Sequence, residues 1–407
     1  MRNSRLIQLV HCAPLIAALI LLLGGAAYCA YLGNVLRFLP DESDYLTLAK
    51  NLVSQRAFTL DGTTPTAFRP PGYPLLLAAG MLIGLDVAEL RWLNFVLLAG
   101  SLLLLAAIVR RMTTSAWAAC IACGLFSCYP VLIYTAGTFY PQTLAGFLLL
   151  LCVWGLPLMA DETVKPVRLV VSGLALGLLV LSVSLFAVSA AFILLWLMVT
   201  CRSLRQVAVV GSIVCLAMSL WTVRNYSQMG AFVPTSTNGG FNLLVGYSPL
   251  ALPDASVNAG VNIDIVEYIQ RGLTMNEVDR DRYFSQSALA IMSQDWIASI
   301  KLYLKKLVNH FNFRNRLFTQ SAGSSVNDIV MFVGYYGLVV FAVIYCIRTG
   351  KNMGRFESLV LGLYLADALV SSIFFTRIRF RLPFDWLLIA FASIGLWRYV
   401  ARKLIHL

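Results

Sequence analysis

Histidine, acid and charge of any kind are scarce in this chain. Its 407 residues include three His and 19 Asp plus Glu; charged side chains make up 12%, hydrophobic ones 59%, and the mean hydropathy is +0.78. A soluble domain carries about a quarter charged residues and about half apolar ones, so this composition excludes that class and indicates a polytopic membrane protein. No cysteine falls between residues 216 and 345, so the most polar stretch has no disulfide. Cys120 and Cys123 form a CxxC inside an apolar run, with no second ligand pair, which argues against zinc. Internal repeats and low-complexity segments are also missing. The net charge of +12 comes from basic residues scattered between apolar runs. That is the distribution of orientation signals, not of a nucleic-acid face, and no nucleic-acid partner is expected.

What is abundant is apolar sequence of spanning length. Runs near 12–33, 92–109, 114–134, 142–160, 168–184, 186–200, 206–222, 327–347, 357–375 and 383–398 predict an all-α protein of about ten transmembrane helices. The first run is too long for a signal-peptide core and lacks a clear cleavage site, so it reads as a retained span. The run 73–85 is shorter and flanked by Pro, and reads as an interfacial helix. With 73–85 on the surface, every short break on one side is basic: Arg2 and Arg5, Arg110 and Arg111, Lys165 and Arg168, Arg202 and Arg205, Arg348, Lys351 and Arg355, Arg398, Arg402 and Lys403. Cytoplasmic loops carry that excess. Both termini are therefore expected in the cytoplasm, and residues 34–91, 135–141, 223–326 and 376–382 outside. Three parts follow: a membrane module 1–222 with first outer loop 34–91, a large outer loop 223–326, and C-terminal spans 327–407.

Two outer segments are anomalous. "FLPDESDYLTLAK", 38–50, sets Asp41, Glu42 and Asp44 at the mouth of the first span, where charge is costly unless water or a partner receives it. Tyr45, Leu48, Ala49 and Leu52 follow at helical spacing, with Asp41 as N-cap and Asp44 three residues on. "TRIRFRLPFD", 376–385, crowds Arg377, Arg379 and Arg381 at the outer mouth of the last span, the wrong side for a topogenic cluster. They either snorkel to anionic headgroups or bind an anion, since guanidinium forks take phosphate oxygens bidentately. In an extended strand all three would point one way. "TPTAFRPPGYPLLLA", 64–78, adds Arg69 before a stiff Pro-Pro turn, with Tyr73 beyond it.

Pro-Asp-Glu-x-x-Tyr after the first span, then a basic residue before Pro-Pro, resembles the GT-C membrane glycosyltransferases, in particular the protein O-mannosyltransferases, the lipid A aminoarabinose transferase and their bacterial homologues. "WTVRNYSQMGAFVPTSTNGGFNLLVGYSP", "DRYFSQSALAIMSQDWIASIKLYLKKLVNHF" and "RFRLPFDWLLIAFASIG" extend the resemblance over most of the chain. It implies a sugar taken from a polyprenyl-phosphate donor and passed to a lipid, glycan or protein acceptor. The setting it implies is the outer face of a bacterial inner membrane. It makes Asp41, with Glu42 and Asp44 as alternatives, the catalytic base, and Arg69 a donor-phosphate contact. The chain departs from the family at Phe68 and Gln142, where relatives often carry acids, so neither a second acid nor a divalent metal is expected, and no cofactor.

The chemistry asks for little more. A carboxylate takes the acceptor proton as the glycosidic bond forms. The departing polyprenyl phosphate is already anionic and needs charge stabilisation, which Arg supplies without a metal. Arg224, just past the seventh span, is a further phosphate candidate. In the large outer loop, residues 230–262 read as turn-rich, Thr274 and Glu277 as a capping box, and a second helix as starting near Ser293. Lys301 and Lys305, with Lys306, Tyr303 and His310 nearby, either rest on anionic lipid or guide an anionic substrate; Tyr45, Tyr73, Lys301, Lys305 and His310 are the further substrate contacts considered. Asp367, alone inside the ninth span, invites a transporter or lipid-flippase reading, but a transporter should show broken helices in matching halves. An O-antigen polymerase or ligase also pairs many spans with a large outer loop, but the acidic opening of the first outer loop argues against it.

Overall fold

The computed structural model describes residues 2–37, 40–160, 162–255, 263–314 and 325–405. The helices are α1 (Arg2–Leu32), α2 (Asp41–Gln55), α3 (Gly72–Leu82), α4 (Val87–Thr113), α5 (Ala116–Ser127), α6 (Pro130–Ala136), α7 (Gln142–Gly155), α8 (Pro166–Ser182) and α9 (Phe186–Val199). They continue as α10 (Leu204–Met229), α11 (Gly239–Tyr247), α12 (Ile263–Gly272), α13 (Glu277–Gln294), α14 (Trp296–His310), α15 (Ser325–Thr349), α16 (Arg355–Phe374) and α17 (Ile378–Ile405). Among the described residues β pairing is confined to one bridge, Thr59 with Pro65.

All ten apolar runs are helical. Six helices (α1, α4, α10, α15, α16 and α17) are long and apolar enough to cross a membrane, and α5 with α6 forms a seventh unit bent by 63°. The bend falls where Pro130 opens α6, since proline cannot continue the hydrogen-bond ladder of the preceding helix. The other three runs are the shorter helices α7, α8 and α9, and the run 73–85 is the still shorter α3. The chain is a multi-pass membrane protein.

α17 is the central helix: 83% of its span is buried, against 17% for α10. Apolar helices gain little by leaving lipid for one another, so close packing and polar pairs carry their association. Both occur on α17. Trp386 lies against Gly146 of α7, where a Cβ would come within 2.6 Å of the indole. One turn earlier, Arg381 and Asp385 pair at 3.1 Å with no exposure of either side chain. Arg381 also donates to the carbonyls of His310 (2.6 Å) and Asn312 (2.9 Å). Asp385 accepts from the hydroxyls of Tyr129 and Tyr364, both at 2.9 Å. This network ties α17 to the end of α14, the α5–α6 bend and α16.

The loops sort to two ends. At one end Arg111 and Arg168 meet Glu162, Arg355 reaches Met159, and Arg398 meets Glu357. At the other, segments 34–91, 137–141, 183–185, 230–254 and 376–379 contact one another.

Three local expectations are corrected. In the stretch 230–262, read as turn-rich, α11 forms and packs on α13 through Leu244, Phe284 and Ala288, and residues 256–262 lie outside the described residues. The N-cap of α13 is Asn276, accepting from Asp279 N, so Thr274 and Glu277 make no capping box. The second loop helix starts at Trp296 under an Asp295 cap rather than near Ser293.

Candidate active site

Pro40 opens α2, and Asp41 is its first helical residue rather than its cap. Carboxylates in a first turn are favoured by the free N–H groups and the helix dipole. The helical spacing then sends the three acids to different partners. Glu42 points inward and is fully buried. It accepts from the backbone N–H groups of Arg37 (2.5 Å) and Phe139 (2.7 Å), fastening α2 to two neighbouring segments. Asp41 and Asp44, three apart, share the other face.

Arg69 bridges that face. Its Nη2 donates to Asp41 at 2.6 Å and to Asp44 at 2.8 Å, and its Nε to Asp44 at 3.2 Å. The guanidinium lies over the rings of Phe68 and Tyr45. Asp41 uses its second oxygen on Arg379 (3.0 Å) and on the hydroxyl of Tyr140 (3.1 Å). One carboxylate thus sits between two guanidiniums that belong to a loop and to the last span. Its side chain keeps 23% exposure, so the group is open to a ligand. Burial would raise the Asp41 carboxyl, but the Arg379 and Arg69 charges outweigh it and hold it down at about 2. Asp44 moves the other way: burial raises it, against the pull of Arg69.

The Arg69 loop is held from afar. Glu277 of α13 accepts from Ala67 N (2.8 Å), Thr66 Oγ1 (2.5 Å) and Thr237 Oγ1 (2.5 Å). Arg224 of α10 donates to the carbonyls of Thr66 (2.8 Å) and Phe58 (3.2 Å) and lies over Trp221. Arg224 therefore braces the loop and does not face Asp41.

The basic cluster is not the extended, same-side array expected of it. α17 starts at Ile378, so helical geometry splays the arginines. Arg377 donates to the carbonyl of Asp254 at 2.9 Å, and burial and the Arg379 charge lower its pKa to about 10, so it stays a cation at neutral pH. Arg379 faces Asp41, and Arg381 points into the sealed Asp385 network. Arg381 is thus removed from any surface a phosphate reaches.

The substrate contacts also divide. Tyr73 is fully buried on Asn94, and Tyr45 packs edge-on to Tyr73 at 5.3 Å; both are structural. Lys301 and Lys305 are exposed on α14. Lys306 is fully buried, its ammonium 3.4 Å from the centre of the Tyr247 ring, and burial lowers it to about 7. His310 is buried 3.5 Å from Asp367, the carboxylate that seemed solitary in sequence. Burial and the Arg381 charge lower the His310 pKa to about 3, so it stays neutral. Tyr140, Glu277 and Asp385 were not foreseen. Only Asp385 carried a local signal, its i+4 spacing from Arg381.

No protein-family model matches the chain, and no curated protein sequence does. Solved structures similar to it include the oligosaccharyltransferase AglB of Archaeoglobus fulgidus in complex with an inhibitory peptide and a dolichol-phosphate. That match has 12% identity and a TM-score of 0.47 over 95% of this chain and 51% of that one. The apo form of the Archaeoglobus fulgidus enzyme matches with 12% identity and a TM-score of 0.49 over 95% and 52%. ArnT of Cupriavidus metallidurans bound to undecaprenyl phosphate matches with 13% identity and a TM-score of 0.42 over 93% and 78%. The chain spans about half the length of the archaeal oligosaccharyltransferase.

Proposed function

We propose that this protein transfers a sugar from a polyprenyl-phosphate donor to a hydroxyl acceptor at the outer face of the membrane. The observation that carries the reading is the Asp41 carboxylate bridged by Arg69 and Arg379 at the mouth of the bundle. The sequence resemblance to the GT-C transferases points the same way, and the basic breaks at the opposite end support an outer location for this one.

The chemistry follows from the pairings. A donor phosphate competes with Asp41 for the two guanidiniums. As it takes them, Asp41 loses the charges that hold its pKa down and becomes a better base. Asp41 then removes the acceptor hydroxyl proton while the acceptor oxygen bonds to the anomeric carbon. The bond from that carbon to the phosphate oxygen breaks, its electron pair stays on the leaving phosphate, and Arg69 and Arg379 meet the new charge. Displacement in one step inverts the anomeric centre. The proton is on Asp41 at the end and passes to water.

The test is to supply purified protein in sealed proteoliposomes with radiolabelled polyprenyl-phosphate sugars and a membrane extract as acceptor source. Label that moves to a new acceptor, with polyprenyl phosphate released, supports the reading. Label that crosses the bilayer still attached to its lipid supports a flippase and contradicts it.

A further inference from the structure

The loop 223–326 carries a helix whose exposed face is apolar. On α14, Trp296, Ile297, Ile300, Leu304 and Val308 are 49% to 76% exposed. A contiguous run of that kind marks an interaction surface rather than a face in water. At about 3.6 residues per turn the helix divides into three sectors. Tyr303, Lys306 and His310 form the packed sector. Tyr303 donates to the carbonyl of Leu369 at 3.1 Å, and Lys306 and His310 are buried against Tyr247 and Asp367. Ile297, Ile300, Leu304 and Val308 lie across the helix from Lys306. Lys301 and Lys305, both exposed, form the third sector, on the flank opposite Tyr303. No carboxylate falls within α14.

We infer that α14 lies in the plane of the membrane, with its apolar face on the acyl chains of the adjoining leaflet and Lys301 and Lys305 on the phosphates of anionic phospholipids. Continuity with a span identifies the occupant. α16 is long and apolar enough to cross a membrane, and Leu365, Leu369 and Ile373, an i, i+4, i+8 row along it, are all exposed. Tyr303 meets that row at Leu369. Thr376, two residues past the end of α16, donates to the carbonyl of Lys306 at 2.9 Å. α14 thus crosses the end of the span, and Tyr303 reaches a carbonyl five residues inside it. At about 1.5 Å per residue that is a depth of about 8 Å, and in-plane helices sit about 5–10 Å into the boundary between headgroups and acyl chains. Lipid that covers α16 therefore also covers α14. The unopposed lysines on its flank complement phosphate charge at the headgroup level. The helix ends at His310, whose carbonyl accepts from Arg381 of α17, so the leaflet holds a helix fastened to the central span. None of this depends on the transfer reaction.

The test reads tryptophan fluorescence in phosphatidylcholine nanodiscs that contain a low mole fraction of acyl-brominated phosphatidylcholine or acyl-brominated phosphatidylglycerol. Bromine quenches tryptophans that touch the chains. The Trp296 signal is wild type minus Trp296→Phe, and Leu304→Trp adds a reporter at the centre of the apolar face. Both reporters should be quenched. At equal mole fraction the phosphatidylglycerol should be enriched at them about fivefold or more over the phosphatidylcholine, the scale of one lysine beside anionic lipid. Replacing both lysines, Lys301→Gln with Lys305→Gln, should abolish that preference while quenching by brominated phosphatidylcholine persists, which also shows that α14 is still in place. No quenching of either reporter would mean that water or another protein covers the face, and would overturn the inference. Equal quenching by the two lipids in wild type, or a preference that survives the loss of both lysines, would overturn the assignment of Lys301 and Lys305 to anionic phosphates.

Discussion

Arg379 and Asp41 lie 338 positions apart in the chain, and Nη1 of the one donates to Oδ2 of the other at 3.0 Å. The last span and the first outer loop thus share one ion pair, with Arg69 on the opposite oxygen. Arg381, two residues on, belongs to a different structure altogether.

That split makes two similar substitutions behave differently. Arg379→Lys replaces a fork by a point charge at the open site. It should weaken undecaprenyl phosphate binding about tenfold and leave thermal stability close to wild type. Arg381→Lys loses the planar group that meets Asp385 and two carbonyls in a sealed core. It should lower the melting temperature, and the folded fraction should bind the lipid normally. Equal loss of affinity in both would return Arg381 to the donor site.

The pH dependence follows from the Asp41 pairings. In the donor-free protein its carboxyl is held at about 2, below the ordinary value of 3.8. A depressed carboxyl stabilises the fold above its unfolded pKa, and that contribution is lost as pH falls through 2. For catalysis, kcat/KM reports the free enzyme and kcat the bound one. Donor phosphate draws the guanidiniums away, so the acid limb of kcat should lie at higher pH than that of kcat/KM. Coincident limbs, or the reverse order, would contradict donor-linked release of the base.

Buried Lys306 makes a separate prediction about stability. Its folded pKa of about 7 lies below the ordinary 10.5. The unfolded chain therefore binds more protons between those values, and stability should rise with pH across that window. Lys306→Met should raise the melting temperature most at or below pH 7, with the gain shrinking toward pH 10. A gain independent of pH would mean that the ammonium is not desolvated.

Turnover should survive EDTA. Two guanidiniums already answer the leaving-group charge, and Phe68 and Gln142 stand where relatives of the resembled family often place acids. Abolition by chelator, restored by Mg²⁺ or Mn²⁺, would contradict this.

The helices were legible because lipid demands long apolar runs: all ten runs are helical, but only six are single helices long and apolar enough to cross a membrane, with α5 and α6 as a bent seventh. Asp41 was legible as a charge at the mouth of the first span, and Arg69 as a basic residue before a Pro-Pro turn. The geometry of the basic cluster was misread because Arg-x-Arg-x-Arg alternation mimics a strand, whereas the residues after Arg377 coil into α17. The i+4 spacing of Arg381 and Asp385 held the corrective signal. Glu277 was beyond sequence reasoning: its partner Ala67 is 210 residues away, and no local pattern announces such a brace. Gln142 was seen as the loss of an acid, but its burial beside Arg379 is a property of the assembled bundle.

The most direct test is release of undecaprenyl phosphate from a panel of sugar-loaded undecaprenyl phosphates by wild type and Asp41→Asn in nanodiscs, with a membrane extract supplying acceptors. Asn keeps the size of the side chain and removes its charge. Wild type should release the lipid from at least one member, and Asp41→Asn should do so about 10² times more slowly or less, the scale of general-base loss, while still binding the donor. No release from any member by wild type, or equal release by the variant, would contradict the assignment of Asp41 as the base of a sugar transfer.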